Sequence, residues 1–289
     1  MTDLSLELSR GRSGEVSQVP YGTWGLRLAA LTYLVAFIAV PVMVIFTNGL
    51  ALGIERFMTS LTRPETLNAI QLSIVTSLIM TVINTVMGTL TAYVLVAYRF
   101  PGKRLFNLLI DIPFAVPTLV IGVMLVLAYG PQTIAGAFLN DTFDLRVVFA
   151  APGIVLALLF VGYPFVIRTV QPVLLAMEPN QEEAAHTIGA SPWTTFVRVI
   201  FPALRPAIIT GALLSFARSL GEFGSVVIIS GNIPMRTQTA TVYIYTQIEE
   251  GNIQAATAAS AALLFVSFAV TIGVDLVLKR RLAGGSPHA

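Results

Sequence analysis

A 289-residue chain that is 55% hydrophobic and only 11% charged, with a mean hydropathy of +0.81, is too apolar for a soluble globular domain, where charged residues run near ~25%. It reads as an integral membrane protein. The formal net charge of +2 is too small for a nucleic-acid surface, and the lack of cysteine excludes disulfides, thiolate metal sites and cysteine catalysis. His186 and His288 lie far apart, one in a polar elbow and one in the tail, so neither a metal nor another cofactor is expected.

Residues 1–23 are polar, carry Arg10 and Arg12, and read as a flexible tail without the apolar core of a signal sequence. Six spans are predicted after it, at residues 26–46, 67–98, 105–129, 152–176, 207–229 and 255–278, each close to or above the ~20 residues that a hydrocarbon core requires. A polar loop with Glu55, Arg56, Arg63 and Glu65 follows the first span, and the second is long enough to tilt or project. Pro113 and Pro117 lie within the third span, where each removes a backbone hydrogen bond and bends the helix. A loop with Asp141, Asp144 and Arg146 leads to the fourth span. The limits that emerge are a spanning domain over 24–281 and a short tail over 282–289.

Between the fourth and fifth spans lies a stretch, residues 178–206, that is helical in pattern and not membrane-like. Asn180 with Glu183 three residues on makes a capping box, and Gly189 should end that helix in the left-handed conformation. Ser191 then caps a second helix that opens on Pro192, with Trp193, Phe196, Val197, Ile200 and Phe201 on one face and Thr194, Thr195 and Arg198 on the other. The first helix has only Ala184, Ala185 and Ile188 as apolar residues. Such small side chains suit close docking of another chain; packing beneath its own bundle is the alternative.

Orientation follows from the basic residues, which concentrate in cytoplasmic loops. With the N-terminus inside, the inner segments hold Arg10, Arg12, Arg27, Arg99, Lys103, Arg104, Arg198, Arg205, Lys279, Arg280 and Arg281, and the outer ones only Arg56, Arg63, Arg146 and Arg236. Both termini and the elbow then lie in the cytoplasm.

Ionisable residues inside spans are costly and mark functional sites by default. Asp111, Arg168, Arg218 and Glu222 are the candidates. Arg218 and Glu222, four apart, can pair, either to fix the rotation of the fifth span or to line a translocation path. Arg168 and Asp111 are expected near the ends of their spans, with the arginine reaching to the headgroups. Gly221, Gly224 and Gly231 around Glu222 favour close helix packing over unwinding. Together with Pro113 and Pro117 they are the candidate gate.

Glu183, Ala184, Ala185, Gly189 and Pro202 resemble the EAA motif, E-A-A-x3-G-x9-I-x-L-P, of the membrane subunits of bacterial ABC importers, with Val199 and Phe201 in place of Ile and Leu. The segments YRFPGKR and IDIPFAVPT at 98–118, YPFVIRTVQPVL at 163–174 and FARSLGEFGSVVIISGN at 216–232 are similar to the T-type subunit of sulfate/thiosulfate importers. The resemblance implies an all-α, MetI-like permease fold with six transmembrane helices in the bacterial inner membrane, in which the elbow is a coupling helix inserted into an ATPase. It also implies two ATPase copies, a second permease subunit of the W type and an extracytoplasmic sulfate-binding protein. No catalytic residue is expected: Gly102 and Lys103 are followed by Arg104 and form no phosphate-binding loop. Another oxyanion such as molybdate or tungstate, or an ion-coupled secondary transporter, is the alternative. An intramembrane hydrolase would need a nucleophile and base that no span supplies.

Overall fold

The computed structural model describes residues 20–177, 187 and 189–283, excluding the side chains of 20–23, 274–275 and 277–283. Glu183, Ala184, Ala185 and His186, with the predicted Asn180 cap and residues 1–19 and 284–289 of the tails, lie outside the described residues, whereas residues 20–23 and 282–283 of the expected tails are helical. Among the described residues all regular structure is helical. Five helices are long and apolar enough to cross a membrane, and six if one sharply bent pair counts as a span.

The chain divides into two compact units, the first ending at Thr47. Its described part is α1 (Pro20–Leu34), a π-helical turn at Val35–Ala39 and the start of α2 (Val40–Leu50). Trp24, Leu31 and Phe37 are all exposed, as expected of a helix whose solvent is lipid. The π turn has a local cause. Pro41 has no N–H to offer and its ring would crowd the carbonyl four residues back, so the turn before it widens and the Val40 N–H reaches the Val35 carbonyl.

The second unit takes in the end of α2 from Asn48 and continues with α3 (Ile54–Leu61), so the expected polar loop contains a helix. Next comes α4 (Pro64–Ala97), whose 34 residues would extend about 51 Å, well beyond a ~30 Å hydrocarbon core. α5 (Lys103–Ala115) and α6 (Thr118–Tyr129) together form the expected third span, but they meet at 113°. Pro117 produces this break: the residue before a proline is driven out of helical geometry, and Val116 is extended at φ −89°, ψ 129°. Pro113 lies inside α5 and does not interrupt it.

The expected loop at Asp141 begins as α7 (Ile134–Phe143), and α8 (Ala151–Ala176) follows. α8 is the central element. Ile154, Ala157, Val166, Ile167 and Val170 along it are fully buried, packed against neighbours that come close through glycine. A Cβ at Gly88 of α4 would sit 2.9 Å from Val166, and one at Gly162 of α8 would sit 2.8 Å from the Ser215 hydroxyl. Such backbone proximity is how membrane helices gain dispersion energy when lipid offers no hydrophobic driving force.

The fifth span differs from expectation at both ends. It runs without interruption from Pro192 to Leu220, as α9 (Pro192–Thr195), a π turn at Phe196–Ile200 and α10 (Phe201–Leu220). It ends at Leu220, nine residues before the expected end at 229, with Gly221 as its cap. Beyond the break lie α11 (Gly224–Ser230), α12 (Ala240–Glu249) and α13 (Ile253–Ala283).

The two interrupted spans meet. α11 packs on α6 so closely that a Cβ at Gly122 would lie 2.7 Å from the Ser225 carbonyl, and one at Gly224 would collide with the Thr118 hydroxyl. Gly122→Val is therefore expected to lower the thermal unfolding midpoint of the detergent-solubilised protein, with an overpacking cost of about 1–3 kcal/mol or more. Leu127→Val on the exposed face of α6 should leave the midpoint unchanged.

Candidate translocation and coupling site

The break after Leu220 exposes backbone groups that lipid cannot satisfy, and Glu222 is placed to take them up. Its carboxylate Oε2 lies 2.7 Å from Arg218 Nη1. Its Oε1 accepts from the Ser225 N–H at 3.1 Å and from the Ser225 hydroxyl at 2.9 Å. Its carbonyl accepts from the Thr241 hydroxyl at 2.8 Å, and its N–H donates to the Ser219 carbonyl at 3.1 Å. One residue thus ties the end of α10 to the start of α11 and to α12. The side chain of Glu222 is only 2% exposed, whereas that of Arg218 is 35% exposed.

The i,i+4 pairing read from the sequence is present, but not on one continuous helix. Gly221 and Glu222 lie past its end. The glycines serve both alternatives at once: the chain unwinds at Gly221, and Gly224 packs tightly on α6.

Arg168 and Asp111 are not isolated charges at span ends. Arg168 Nε and Nη2 grip the two Asp111 oxygens at 2.8 and 2.6 Å, Nη2 also donates to the Asn107 carbonyl at 3.0 Å, and Nη1 donates to Gln171 Oε1 at 2.8 Å. The guanidinium is saturated by this fork, so it ties α5 to α8 rather than reaching for headgroups. Both partners remain part-exposed, so the pair contributes less stability than its geometry alone suggests. The sequence held a signal that was not used. Asn107 with Asp111 and Arg168 with Gln171 each form a polar step one helical turn apart.

On the elbow side, Gly189 has φ +81° with open space where a Cβ would stand. Ser191 Oγ accepts from the Thr194 N–H at 3.2 Å, and Pro192 opens α9. Both features agree with expectation; the apolar face does not. Ile200 is buried as expected, but Thr195 of the opposite face is buried too, while Trp193 and Val197 are exposed. Pro202 explains this. Like Pro41, it stands two residues beyond a π turn, and the Phe201 N–H bonds the Phe196 carbonyl five residues back. The wider turn rotates α9 away from the register that a 3.6-residue period assigns.

An open hollow of about 900 Å³ among α4, α5 and α8 includes Pro113, with Asn84, Thr91 and Tyr163 as the polar residues of a mostly apolar wall. It contains none of the charged residues and suits lipid better than an anion.

The bundle thus holds two interrupted spans that pack on each other beside an ion pair with one buried partner. Residues 84–283 match the family described as the binding-protein-dependent transport system inner membrane component, and the chain belongs to that family. It is a multi-pass inner-membrane subunit of an ABC transporter and not an enzyme. The chain is 38% identical over 266 residues, 92% of each sequence, to the probable sulfate transport system permease protein cysT of Chlorokybus atmophyticus. It is 34% identical over 251 residues, 87% of this chain and 90% of the relative, to the sulfate transport system permease protein CysT of Escherichia coli. A bacterial ABC transporter chain from an importer of the acidic polysaccharide alginate superposes with a TM-score of 0.74, covering 90% of this chain and 96% of that one at 16% identity. That likeness speaks for the fold alone.

The asymmetry of the Arg218–Glu222 pair has a measurable consequence. Arg218→Ala strands a buried carboxylate, a loss of about 3–5 kcal/mol when a buried pair is broken. Glu222→Gln leaves an arginine that is already part-exposed. Arg218→Ala should therefore lower the thermal midpoint in detergent more than Glu222→Gln, and the double variant should recover part of the loss.

Proposed function

We propose that this chain is one permease half of an ATP-driven importer of sulfate and thiosulfate, working by alternating access. The kinship with CysT proteins over most of the chain is the observation that carries this reading. The sulfate transport system permease protein CysW of Synechocystis sp. is 38% identical over 259 residues, 90% of this chain and 92% of that one. That suits two homologous halves, with this chain in the T-type place and a W-type subunit opposite. Two ATPase copies and an extracytoplasmic sulfate-binding protein complete the machine. The distribution of basic residues supports cytoplasmic termini and elbow, around a 24–281 spanning domain.

In this mechanism Glu183, Ala184, Ala185, Gly189 and Pro202 receive the ATPase. Gly189 gives the elbow its bend, and Pro202 sets the angle between α9 and α10. α8 enters the elbow and α10 leaves it. Motion of α8 reaches α5 through the Arg168–Asp111 bridge, and so reaches the break at Pro117. Motion of α10 reaches the break at Gly221 directly. A dianion passing Arg218 is drawn by its guanidinium and repelled by any bare carboxylate. Glu222, buried beneath Arg218, holds that arginine in place and does not meet cargo.

Gly189→Val forces a β-branched residue into the left-handed region. In proteoliposomes holding the full importer, it should insert normally and lose most ATP-driven sulfate uptake. Normal uptake would refute the coupling role. Arg218→Ala should abolish uptake, and full uptake by that variant would remove Arg218 from the path. Competition among sulfate, thiosulfate and molybdate decides the oxyanion: sulfate and thiosulfate should displace the label, and preferential displacement by molybdate would overturn the assignment.

A further inference from the structure

Beside the Glu222 junction lies a buried hydroxyl that no described residue satisfies. Ser77 on α4 is 1% exposed, and its Oγ has no hydrogen-bond partner among the described residues. Its neighbours differ: the Thr76 hydroxyl donates to the Leu72 carbonyl at 2.7 Å, and the Thr81 hydroxyl to the Ser77 carbonyl at 2.7 Å. Buried hydroxyls in folded proteins are paired in the large majority of cases, with protein or with water.

Ser77 lines a small cavity where α4, α8, α10, α11 and α12 converge on Glu222, with Ser73, Thr76, Ser219 and Thr241 among the other polar residues of its wall. Ser73 stands one turn before Ser77 on the same face, and its Oγ accepts from the Ala240 N–H at 2.8 Å. This face of α4 therefore looks onto the residues that close the break at Gly221. The cavity offers about 10 Å³ to the centre of a water molecule, which holds one water and is far too small for a tetrahedral oxyanion. Charge decides against a metal cation. Arg218 already neutralises Glu222, so a sodium ion here would be a buried charge without a counterion.

Unused hydrogen-bonding capacity converges on the same space. The Glu222 carboxylate receives three protons, from Arg218 and from the Ser225 N–H and hydroxyl, while two carboxylate oxygens offer about four acceptor sites. The Ser219 hydroxyl donates to the Phe216 carbonyl at 2.7 Å and keeps its own lone pairs. We infer that one water molecule is bound in this cavity, accepting from the Ser77 hydroxyl and donating to the Glu222 carboxylate and the Ser219 oxygen. Through that water α4 joins the junction, which otherwise holds only α10, α11 and α12. The inference rests on the geometry around Glu222 and not on the identity of the cargo.

Hydroxyl-radical footprinting of the full-length protein in lipid reads the site directly, because X-ray radiolysis of a bound water oxidises the side chains beside it however deeply they lie. Leu158, Leu220 and Val226 line the cavity and are buried. The two leucines should be oxidised several-fold faster than Leu204, and Val226 several-fold faster than Val170, both of which are buried elsewhere. Rates no higher than those of Leu204 and Val170 would overturn the proposal. Ser77→Val, which fills the space and removes the hydroxyl, should bring the rates down to that level, and persistent oxidation would break the link between Ser77 and the water. The sign of a stability change gives a second reading. In a dry cavity Ser77→Ala removes an unsatisfied hydroxyl and raises the thermal midpoint, whereas with water bound it removes a hydrogen bond and lowers it. A lower midpoint is expected, and an unchanged or higher one would overturn the proposal. The wild-type midpoint should be equal in sodium and choline chloride at one ionic strength; a rise specific to sodium would replace the water by a cation. None of these readings depends on transport, so each is distinguishable from failure of the coupling role.

Discussion

A helix interrupted at membrane depth leaves amides and carbonyls that no lipid can satisfy, and the rest of this molecule is arranged around meeting that requirement at Gly221. The Glu222 carboxylate collects Arg218 from one side of the gap and Ser225 from the other, and its carbonyl takes the Thr241 hydroxyl. Removing this charge from water costs several kcal/mol, which the two Ser225 donors and the ion pair offset. The result is a discontinuity that remains defined. At Pro117 the Val116 N–H still bonds the Ile112 carbonyl and the Pro117 carbonyl takes the Val120 and Ile121 N–H groups, while α6 closes on α11 through Gly122 and Gly224. The two interruptions are therefore one structural unit.

That unit is tied to the central helix at a distance. α8, buried along most of its length, runs toward the elbow at one end and holds α5 through the Arg168–Asp111 fork. α10 leaves the elbow and ends at the Glu222 junction. A displacement applied at the elbow thus has two rigid routes, one to each interruption. The elbow itself is jointed by a glycine at φ +81° and rephased by the π turn before Pro202.

What could be read from the sequence divides along the range of the interactions. Gly189, Ser191 and Pro192 took the expected roles because a left-handed stop and a cap depend on neighbours within a few residues. Arg218 and Glu222 paired as their spacing indicates, because one turn of helix and a short unwound step carry them to the same place. The Arg168–Asp111 bridge was missed because 57 residues separate its partners. Periodicity on one helix carries no information about which other helix it faces. The burial of Thr195 in place of Trp193 was missed for another reason. A π turn shifts helical phase, and Pro202 entered the sequence analysis only as a motif position, without the crowding that widens the turn before it. The expected span limits at 207 and 229 missed the observed ones at 192 and 220 likewise, because Pro202 and Pro206 do not stop this helix and Gly221 does.

Hydrogen exchange at the Ser225 amide tests the central claim most directly, because that N–H is bonded to the side chain of Glu222 and to no helical carbonyl. Exchange across residues 216–231 is compared between the wild-type chain and Glu222→Ala in the same lipid. The account predicts a slow Ser225 amide in the wild type and exchange faster by orders of magnitude in the variant, with α4 and α8 unchanged. Equal protection in both would show that the junction is closed by something other than this carboxylate.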